Sequence, residues 1–434
     1  MAADTSELSL NTAAKADIPE NYPGDLRTFV YLLFFAFGGI TSLNDVVIPK
    51  LKGLFTLSYG DVMLVQSAFF AAYFVISLPA AELIRRIGYM RSAVAGLLTM
   101  TLGCLLFIPG SYKGQFGLFL LALFVLASGI TIVQVVANPL IAGLGPATSA
   151  SSRLTFAQAF NSLGTTIFPY VGSILILGSI ATVDPTTLSE SALTAFRSVE
   201  TRIIVRTYLG LALALLLLSA LVWTRRRRLA QMPIQRVSVL RAFDLLTRPR
   251  FAFGTLCIFL YVGAEVAIGS VIVNYLMQTD VLGLGAEAAG KHVPLYWGGA
   301  MIGRFFGAYL LRIFQPGKVL AFAAAAVVAL LLVSSSSTGA ISGWALLSIG
   351  LFNSIMFPTI FCLALSGLAK RVPEGSGLLC MAIVGGALIP LLTGNAADVW
   401  GLKGALMVPA ACYLCILVYG SLFREAVVTI RTDD

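Results

Sequence analysis

Apolar segments long enough for a transmembrane helix, about 20 residues each, follow one another along almost the whole chain. Polar and basic residues separate them. We predict twelve such segments, six on each side of a basic stretch over residues 225–250. They run over residues 28–50, 61–84, 92–110, 116–142, 152–179, 203–224, 251–278, 289–312, 317–334, 342–368, 376–397 and 404–423. The pattern therefore predicts an all-α membrane protein.

The basic stretch divides the chain into two halves with similar features. We predict a cytoplasmic N-terminal tail (1–27), an N-terminal six-helix bundle (28–224), a basic cytoplasmic linker (225–250), a C-terminal six-helix bundle (251–423) and a cytoplasmic tail (424–434). Prolines interrupt the fourth and fifth spans and again the tenth and eleventh: Pro139, Pro169, Pro358 and Pro390. Parallel repeats with matching breaks are typical of secondary transporters with a midplane site. A channel or a membrane enzyme is the alternative.

The composition agrees with a membrane protein and excludes soluble classes. Only 11% of the 434 residues are charged and 58% are hydrophobic, whereas soluble proteins average about 25% charged residues. With both termini in the cytoplasm, twenty of the 29 Lys and Arg residues fall in cytoplasmic segments and eight on the opposite side. Cytoplasmic loops attract such residues, so we attribute the net charge of +9 to topology rather than to nucleic-acid binding. The first 25 residues lack a cleavable signal-peptide pattern, and we expect the first span to be retained.

Three charged residues lie well inside the predicted spans, where charge is costly and usually has a task. Asp45 in the first span is our main candidate for proton coupling, because a carboxyl that alternates between apolar and aqueous surroundings changes its pKa. Its alternative role is a structural hydrogen bond between helices. Glu265 in the seventh span is predicted to bind sugar hydroxyls, to titrate as a second coupling group, or to pair with Arg304. Arg304 in the eighth span either forms that pair or extends to cytoplasmic water.

Neutral amides are concentrated in the N-terminal half, and they suit a ligand whose hydroxyls both donate and accept hydrogen bonds. Gln134 and Asn138 share one helical face, as do Gln158 and Asn161. Asn138 precedes Pro139 and therefore has a capping role as its alternative. Each buried amide has inter-helix bonding as the alternative to substrate binding. The full set of predicted substrate-binding residues is Asn44, Gln66, Gln134, Asn138, Gln158, Asn161, Tyr261, Glu265, Trp297 and Asn353, with Phe357 as a further aromatic candidate.

Several stretches resemble the fucose–proton symporter family of the major facilitator superfamily. They are FGGITSLNDVVIPKLKGLFTLSYGDVMLVQSAFFAAYFVISLPA (37–80), VQVVANPLIAGLGP (133–146), SRLTFAQAFNSLGTTIFP (152–169), LYVGAEVAIGS (260–270), GRFFGAYLLR (303–312) and GLFNSIMFPTIF (350–361). Within that family the glucose/galactose transporter branch is the most similar, and an N-acetylglucosamine branch is also near. The resemblance implies a major facilitator fold, alternating access, proton-coupled sugar uptake, a monomer, and Asp45 as the protonation site.

Two positions differ from the pattern that the resemblance implies. The loop motif after the second span normally has an acidic residue where this chain has Arg85, so gating contacts of Arg85 and Arg86 are expected to use Glu82 instead. Fucose transporters have E-T-A-A-N-P in the fourth span, whereas this chain has Q-V-V-A-N-P, with Gln134 at the glutamate position. A mechanism that needs two carboxylates in the N-terminal half is therefore not expected, and fucose specificity is not directly transferable. Pro139 and Pro358 are predicted gate elements or static kinks.

The sequence as a whole predicts an inner- or plasma-membrane importer of a glucose- or galactose-like hexose, coupled to protons and without enzyme activity. Na⁺ is the alternative coupling ion, fucose and N-acetylglucosamine are alternative substrates, and a membrane sugar sensor or a drug exporter is the alternative class. No cofactor and no metal site are expected. A nucleotide-binding loop of the form G-x-x-x-x-G-K-[ST] does not occur in the sequence, so ATP is not the expected energy source.

Overall fold

The computed structural model describes residues 24–55, 59–113, 115–172, 190–226 and 239–425, and this part of the chain is almost entirely helical. Nearly all of the predicted N-terminal tail and residues 227–238 of the predicted linker lie outside the described residues. The side chains of Asn44, Asp45 and Gln66 also lie outside them, although the backbone of all three belongs to described helices. Their predicted roles stay predictions.

The long helices follow the predicted spans in order. They are α1 (Gly24–Phe55), α2 (Tyr59–Ile87), α3 (Tyr89–Lys113), α4 (Phe116–Gly143), α5 (Ala150–Gly172), α6 (Glu190–Thr224), α7 (Pro249–Met277), α8 (Val293–Ile313), α9 (Pro316–Ser336), α10 (Gly339–Asn353), α11 (Met356–Leu365), α12 (Val372–Met381), α13 (Gly385–Ala405) and α14 (Met407–Leu422). Short 3₁₀ segments include Val239–Thr247 before α7 and Ala382–Val384 between α12 and α13.

Some helices are less apolar than others, and the difference follows their position in the bundle. Within the described residues, eight helical segments are long and apolar enough to cross a membrane, and Leu26–Ser42 and Met407–Leu422 form shorter apolar helices. The helices α5 and α8 belong to neither group. They carry Gln158, Asn161 and Arg304, and they pack against each other. These two helices are therefore less apolar because they meet between the two halves.

The tenth and eleventh spans, which the sequence predicts to be interrupted by proline, each consist of two helices. The tenth span consists of α10 and α11 with a break at Ser354 and Ile355. Pro358 causes this, because its ring cannot donate to the carbonyl oxygen of Ser354 and clashes with it. The eleventh span consists of α12 and α13 joined by a 3₁₀ turn. By contrast, Pro139 lies inside the continuous helix α4.

The two halves meet at the end of the bundle where α2 ends and α12 begins, which we call the basic end because Arg85, Arg86 and Arg371 lie there. Contacts join α2 to α12, α5 to α8, α5 to α11 and α4 to α12. Across this contact the Ser152 hydroxyl donates to the carbonyl oxygen of Ala308 (2.6 Å). The sequence predicts that this end is cytoplasmic.

A buried arginine fixes the turn between α4 and α5 at the basic end. Arg153 is 8% exposed and donates to the carbonyl oxygens of Ile141 (3.3 Å), Pro146 (2.9 Å) and Ala142. The last carbonyl groups of a helix have no partner within the helix and attract positive charge. Arg153 therefore caps α4 and places α5 against it.

Close helix packing in the C-terminal half depends on glycines that face a backbone. A Cβ atom on Gly385 would lie 2.0 Å from the carbonyl oxygen of Phe259 in α7, and one on Gly350 would lie 2.0 Å from that of Tyr296 in α8. Small residues let transmembrane helices approach this closely. A backbone cannot move aside as a flexible side chain can, so these positions exclude any larger residue.

We therefore expect Gly385→Ala to destabilise the protein by about 1–3 kcal/mol or more, the usual cost of overpacking. Gly394→Ala on the same helix is the matched control, since a Cβ there meets nothing within 4 Å and alanine favours helix. The stability of both variants is measured as the apparent Tm of the purified protein. Size-exclusion chromatography after heating monitors the unfolding. Equal Tm values for the two variants would contradict this packing argument.

Candidate functional site

A network of polar side chains lies within the C-terminal half between α7, α8 and α10. The Tyr261 hydroxyl donates to Glu265 Oε1 (2.8 Å) and lies 3.0 Å from the carbonyl oxygen of Asn353. The Asn353 amide in turn donates to the hydroxyl of Tyr296 (2.8 Å). Tyr261, Tyr296 and Asn353 are completely or almost completely buried, whereas Glu265 is partly exposed. The network therefore holds one side of the Glu265 carboxylate and leaves the other side accessible.

Arg304 lies beside this network on the side that faces the N-terminal half, but it is not part of the network. Its Nη1 atom lies 3.5 Å from the carbonyl oxygen of Gln158 in α5, across the boundary between the halves. Its guanidinium is close enough to attract the Glu265 carboxylate, yet no ion pair within 4.0 Å joins these two described side chains. The Nε atom of Arg304 is buried without a hydrogen-bond partner. Arg304 thus bridges the two halves through a backbone carbonyl rather than through an ion pair with Glu265.

The predicted amides of the N-terminal half occupy three different environments. Gln134 is 9% exposed and accepts a hydrogen bond from the Tyr73 hydroxyl (2.8 Å), so its amide nitrogen is left for another partner. Asn161 is partly exposed and donates to the carbonyl oxygen of Phe34 (3.3 Å). It lies directly against Gly38, where a Cβ atom would come within 2.4 Å of its amide. Gln158 is 6% exposed, beside Arg304.

The aromatic candidates also differ in accessibility. Trp297 is 44% exposed and packs edge-to-face on Tyr296, with ring centroids 5.0 Å apart. It thus extends the Glu265 network toward open space. Phe357 is 8% exposed and stacks on Phe361. Of the two, only Trp297 has a substantially exposed ring.

Asn138 and Pro139 lie at the contact between the halves. Asn138 is completely buried, and neither atom of its amide group has a hydrogen-bond partner. Proline has no N–H, so Pro139 leaves the carbonyl oxygen of Val135, four residues earlier, without its helical donor. The Ser376 hydroxyl of α12 donates to that oxygen (2.9 Å). A proline in one half thus creates the acceptor for a hydrogen bond from the other half.

Charged side chains form a continuous series of ion pairs across the basic end. Glu82 pairs with Arg86 (2.8 Å) and with Arg85 (3.3 Å), and Arg85 also pairs with Glu374 of α12 (3.2 Å). The Arg85 and Glu374 side chains are 10% and 8% exposed. Breaking a buried pair on one side usually costs about 3–5 kcal/mol. The predicted use of Glu82 is seen, but the partner that joins the two halves is Glu374.

The series continues to the 3₁₀ segment Val239–Thr247 that precedes α7. Arg371 pairs with Glu374 (2.8 Å) and with Asp244 (2.5 Å). The hydrogen bond from Arg371 lowers the pKa of the exposed Asp244 carboxyl below its ordinary value. A lowered pKa means that this contact persists at neutral pH and weakens only as the pH falls through that value. The segment after the predicted linker is therefore tied to the contact between the halves.

Comparison with known proteins agrees with the helical fold described above. The profile of the Major Facilitator Superfamily matches residues 30–382. The chain belongs to this superfamily. It is therefore a multi-pass membrane transporter rather than an enzyme, and the predicted fold class is confirmed.

Individual relatives of this superfamily member cover most of its length. It is 46% identical to the glucose/galactose transporter of Brucella abortus over 92% of this chain and 94% of that protein. It is 31% identical to the L-fucose-proton symporter of Escherichia coli over 92% of each chain. A crystal structure of the transporter FucP in the outward conformation is similar with a TM-score of 0.85 and 30% identity, over 92% of this chain and 98% of that one. The family resemblance predicted from the sequence is confirmed.

Sequence reasoning missed four residues that the structure brings into these clusters. Tyr73 and Tyr296 occur in apolar spans, where a tyrosine has no distinguishing pattern. Glu374 and Ser376 lie at the start of α12, at a predicted span boundary. An acidic residue in the first turn of a transmembrane helix was the available signal for Glu374. The partner 289 residues away was not predictable from that signal.

The hydrogen bond between Ser376 and Val135 yields a quantitative prediction. Ser376→Ala should favour separation of the halves at the basic end by about 1 kcal/mol, or roughly five-fold in population. Cys362 is a native reporter, since it is 9% exposed and lies beside Arg153 of the other half. Its alkylation by N-ethylmaleimide, mapped by mass spectrometry, should become about five-fold faster in the variant.

A double-mutant cycle separates this hydrogen bond from a general loss of packing. Pro139→Ala restores the helical donor to Val135, so Ser376→Ala should have little further effect in that background. Ser348→Ala is the control, since that hydroxyl bonds only to the carbonyl oxygen of Trp344 in its own helix (2.8 Å). If Ser376→Ala has the same effect with and without Pro139, the proline does not create this acceptor.

Proposed function

We propose that this protein imports a glucose- or galactose-like hexose by proton symport and alternating access. The observation that carries the proposal is the pair of polar clusters on the two sides of the boundary between the halves. Gln134, Gln158 and Asn161 come from the N-terminal half, and Glu265, Asn353 and Trp297 come from the C-terminal half. Amides and a carboxylate bind sugar hydroxyls, and an exposed indole can cover a sugar's C–H face.

The relatives support the choice of substrate class. The 46% identical relative is named a glucose/galactose transporter, and the 31% identical relative is named a fucose-proton symporter. The Tyr73–Gln134 hydrogen bond adds a physical reason to favour glucose or galactose over fucose. Gln134 cannot ionise, and its amide nitrogen remains a donor for a sugar oxygen. This differs from the acceptor-only carboxylate expected at the same place in fucose transporters.

Coupling to protons is assigned to Asp45, with Glu265 as the second titratable candidate. Glu265 already accepts a hydrogen bond from the Tyr261 hydroxyl, so it also has a structural role within the C-terminal half. Na⁺ coupling is the alternative, since carboxylate and amide oxygens also ligate that ion.

The remaining features of the proposal follow from topology. We place both termini and the basic end in the cytoplasm of a cell that carries the protein in its inner or plasma membrane, as a monomer. In this orientation the ion pairs of Arg85 and Glu374 close the cytoplasmic side. The structure then corresponds to an outward-facing state, in keeping with the conformation named for the similar FucP structure.

A counterflow panel in proteoliposomes tests the substrate. Vesicles loaded with unlabelled glucose, galactose, fucose, mannose or N-acetylglucosamine are diluted into the corresponding labelled sugar. We expect strong exchange with glucose and galactose and weak exchange with fucose. Absence of exchange with all five would reject sugar transport, and a binding signal without exchange would favour a sensor.

The role of Asp45 is tested with Asp45→Asn. Without a carboxyl to protonate, the variant should lose accumulation driven by an imposed pH gradient in sodium-free vesicles, yet keep counterflow exchange. Glu265→Gln is the comparison, because its amide oxygen can still accept from Tyr261 and accumulation should be reduced rather than abolished. Accumulation by Asp45→Asn would disprove the assignment, and accumulation that requires sodium in the native protein would replace protons with Na⁺.

A further inference from the structure

An apolar groove of about 650 Å³ lies on the N-terminal half, away from the polar clusters described above. Helices α1, α5 and α6 form it. The helix α6 packs along α3 and touches α1 at only a few residues, which leaves an open space between α6 and α1. Leu32 and Leu221, on the two walls, are 40% and 44% exposed. The groove therefore opens at the surface of the bundle.

The lining of the groove is apolar except at the basic end. Seven of its ten lining residues are Leu or Phe, and the remaining three are Thr28, Tyr31 and Arg225. Arg225 follows the last residue of α6, Thr224. The sequence continues with three more arginines, Arg226, Arg227 and Arg228. The groove thus combines an apolar wall with the positive charge of Arg225 at one mouth.

The length and depth of the groove correspond to one membrane leaflet. Along α1 it extends from Leu26 to Phe35, which is about 14 Å at 1.5 Å per residue. This is about half of the roughly 30 Å hydrocarbon thickness. Trp223 is 46% exposed and carries the Arg226 guanidinium over its ring at 4.2 Å. Exposed tryptophan and arginine at a helix end mark the headgroup level.

We propose that this groove binds one anionic phospholipid from the leaflet at the basic end. An acyl chain lies between α1 and α6 against Leu32, Leu163 and Leu221, and the phosphate group of the headgroup contacts Arg225 at the mouth of the groove. Charge complementarity selects anionic over zwitterionic headgroups, because each Lys or Arg at the membrane surface favours anionic lipid. The occupant is a membrane lipid because the walls are mainly apolar.

A lipid in this groove would affect transport through helix packing rather than through contact with the substrate. The groove connects α1, which carries Asp45, with α5, which carries Gln158 and Asn161, and with α6 outside them. A lipid held there stabilises the packing of α1 against α6 on the side away from the substrate clusters. Lipid binding itself does not depend on the proposed sugar or coupling ion.

Native mass spectrometry of the full-length protein tests the site directly. Delipidated protein in mild detergent is titrated with phosphatidylglycerol or phosphatidylcholine, and the bound-lipid peaks are quantified. We expect one phosphatidylglycerol to bind at least ten-fold more strongly than phosphatidylcholine. Arg225→Gln should reduce this preference about five-fold, and replacing Arg225 and Arg226 together by Gln should remove it. Arg206→Gln, at the other end of the apolar segment Val205–Thr224 of the same helix, should leave it unchanged.

A groove-filling variant tests the acyl-chain part of the site. Leu221→Trp should abolish the bound-lipid peak for both lipids, whereas Leu217→Trp should not, since Leu217 is 65% exposed on α6 but does not line the groove. Equal retention of the two lipids by the native protein and all variants would show annular lipid only and overturn the proposal. Increased lipid binding after deletion of residues 1–22 would also overturn it, by identifying the N-terminal segment as the occupant.

Discussion

The hydrocarbon core of a membrane offers no hydrogen-bond partners, and this constraint explains where the polar groups of the protein lie. A buried donor or acceptor without a partner is costly there, so most of these groups are satisfied within the protein. Arg153 is held by backbone carbonyls at the end of α4, and Tyr261 is held by Glu265 and Asn353. Even the carbonyl oxygen of Val135, which lacks its helical donor because of Pro139, accepts a hydrogen bond from Ser376. The polar residues therefore gather between helices, and the largest concentration lies where the halves meet.

The alternating access that we propose requires that some of these partners change. The contact at the basic end combines the hydrogen bond from Ser376, the bond from Ser152 and the buried pair of Arg85 and Glu374. All three join groups of opposite halves, so separation of the halves must break them together. Each group is polar enough to be hydrated once water enters, which lowers the cost of opening. Polar contacts are for this reason better suited to a reversible gate than an equally large apolar surface.

The departures from the fucose-transporter pattern have physical counterparts in the structure. Arg85 replaces an acidic residue in the loop motif, and an acidic residue on α12, Glu374, provides the opposite charge. Gln134 replaces a glutamate, and Tyr73 orients its amide by donating to Oε1. In both cases the residue that departs from the pattern has a polar partner in this protein. Similar backbones with 30% sequence identity can thus present different chemistry at the same positions.

The sequence by itself determined the number and order of the spans, the division into halves and the superfamily, because apolar length, basic residues and local motifs are properties of neighbouring residues. It also identified the amides and charges that are costly in a membrane, including Gln134, Glu265 and Arg304. Only the tertiary structure decided how these residues are paired. The pairs Arg85–Glu374 and Ser376–Val135 join residues more than 200 positions apart, and the position of Arg304 beside Gln158 depends on how α5 meets α8. Such pairs form because the two halves pack against each other, and no local pattern in either half specifies the register of that contact.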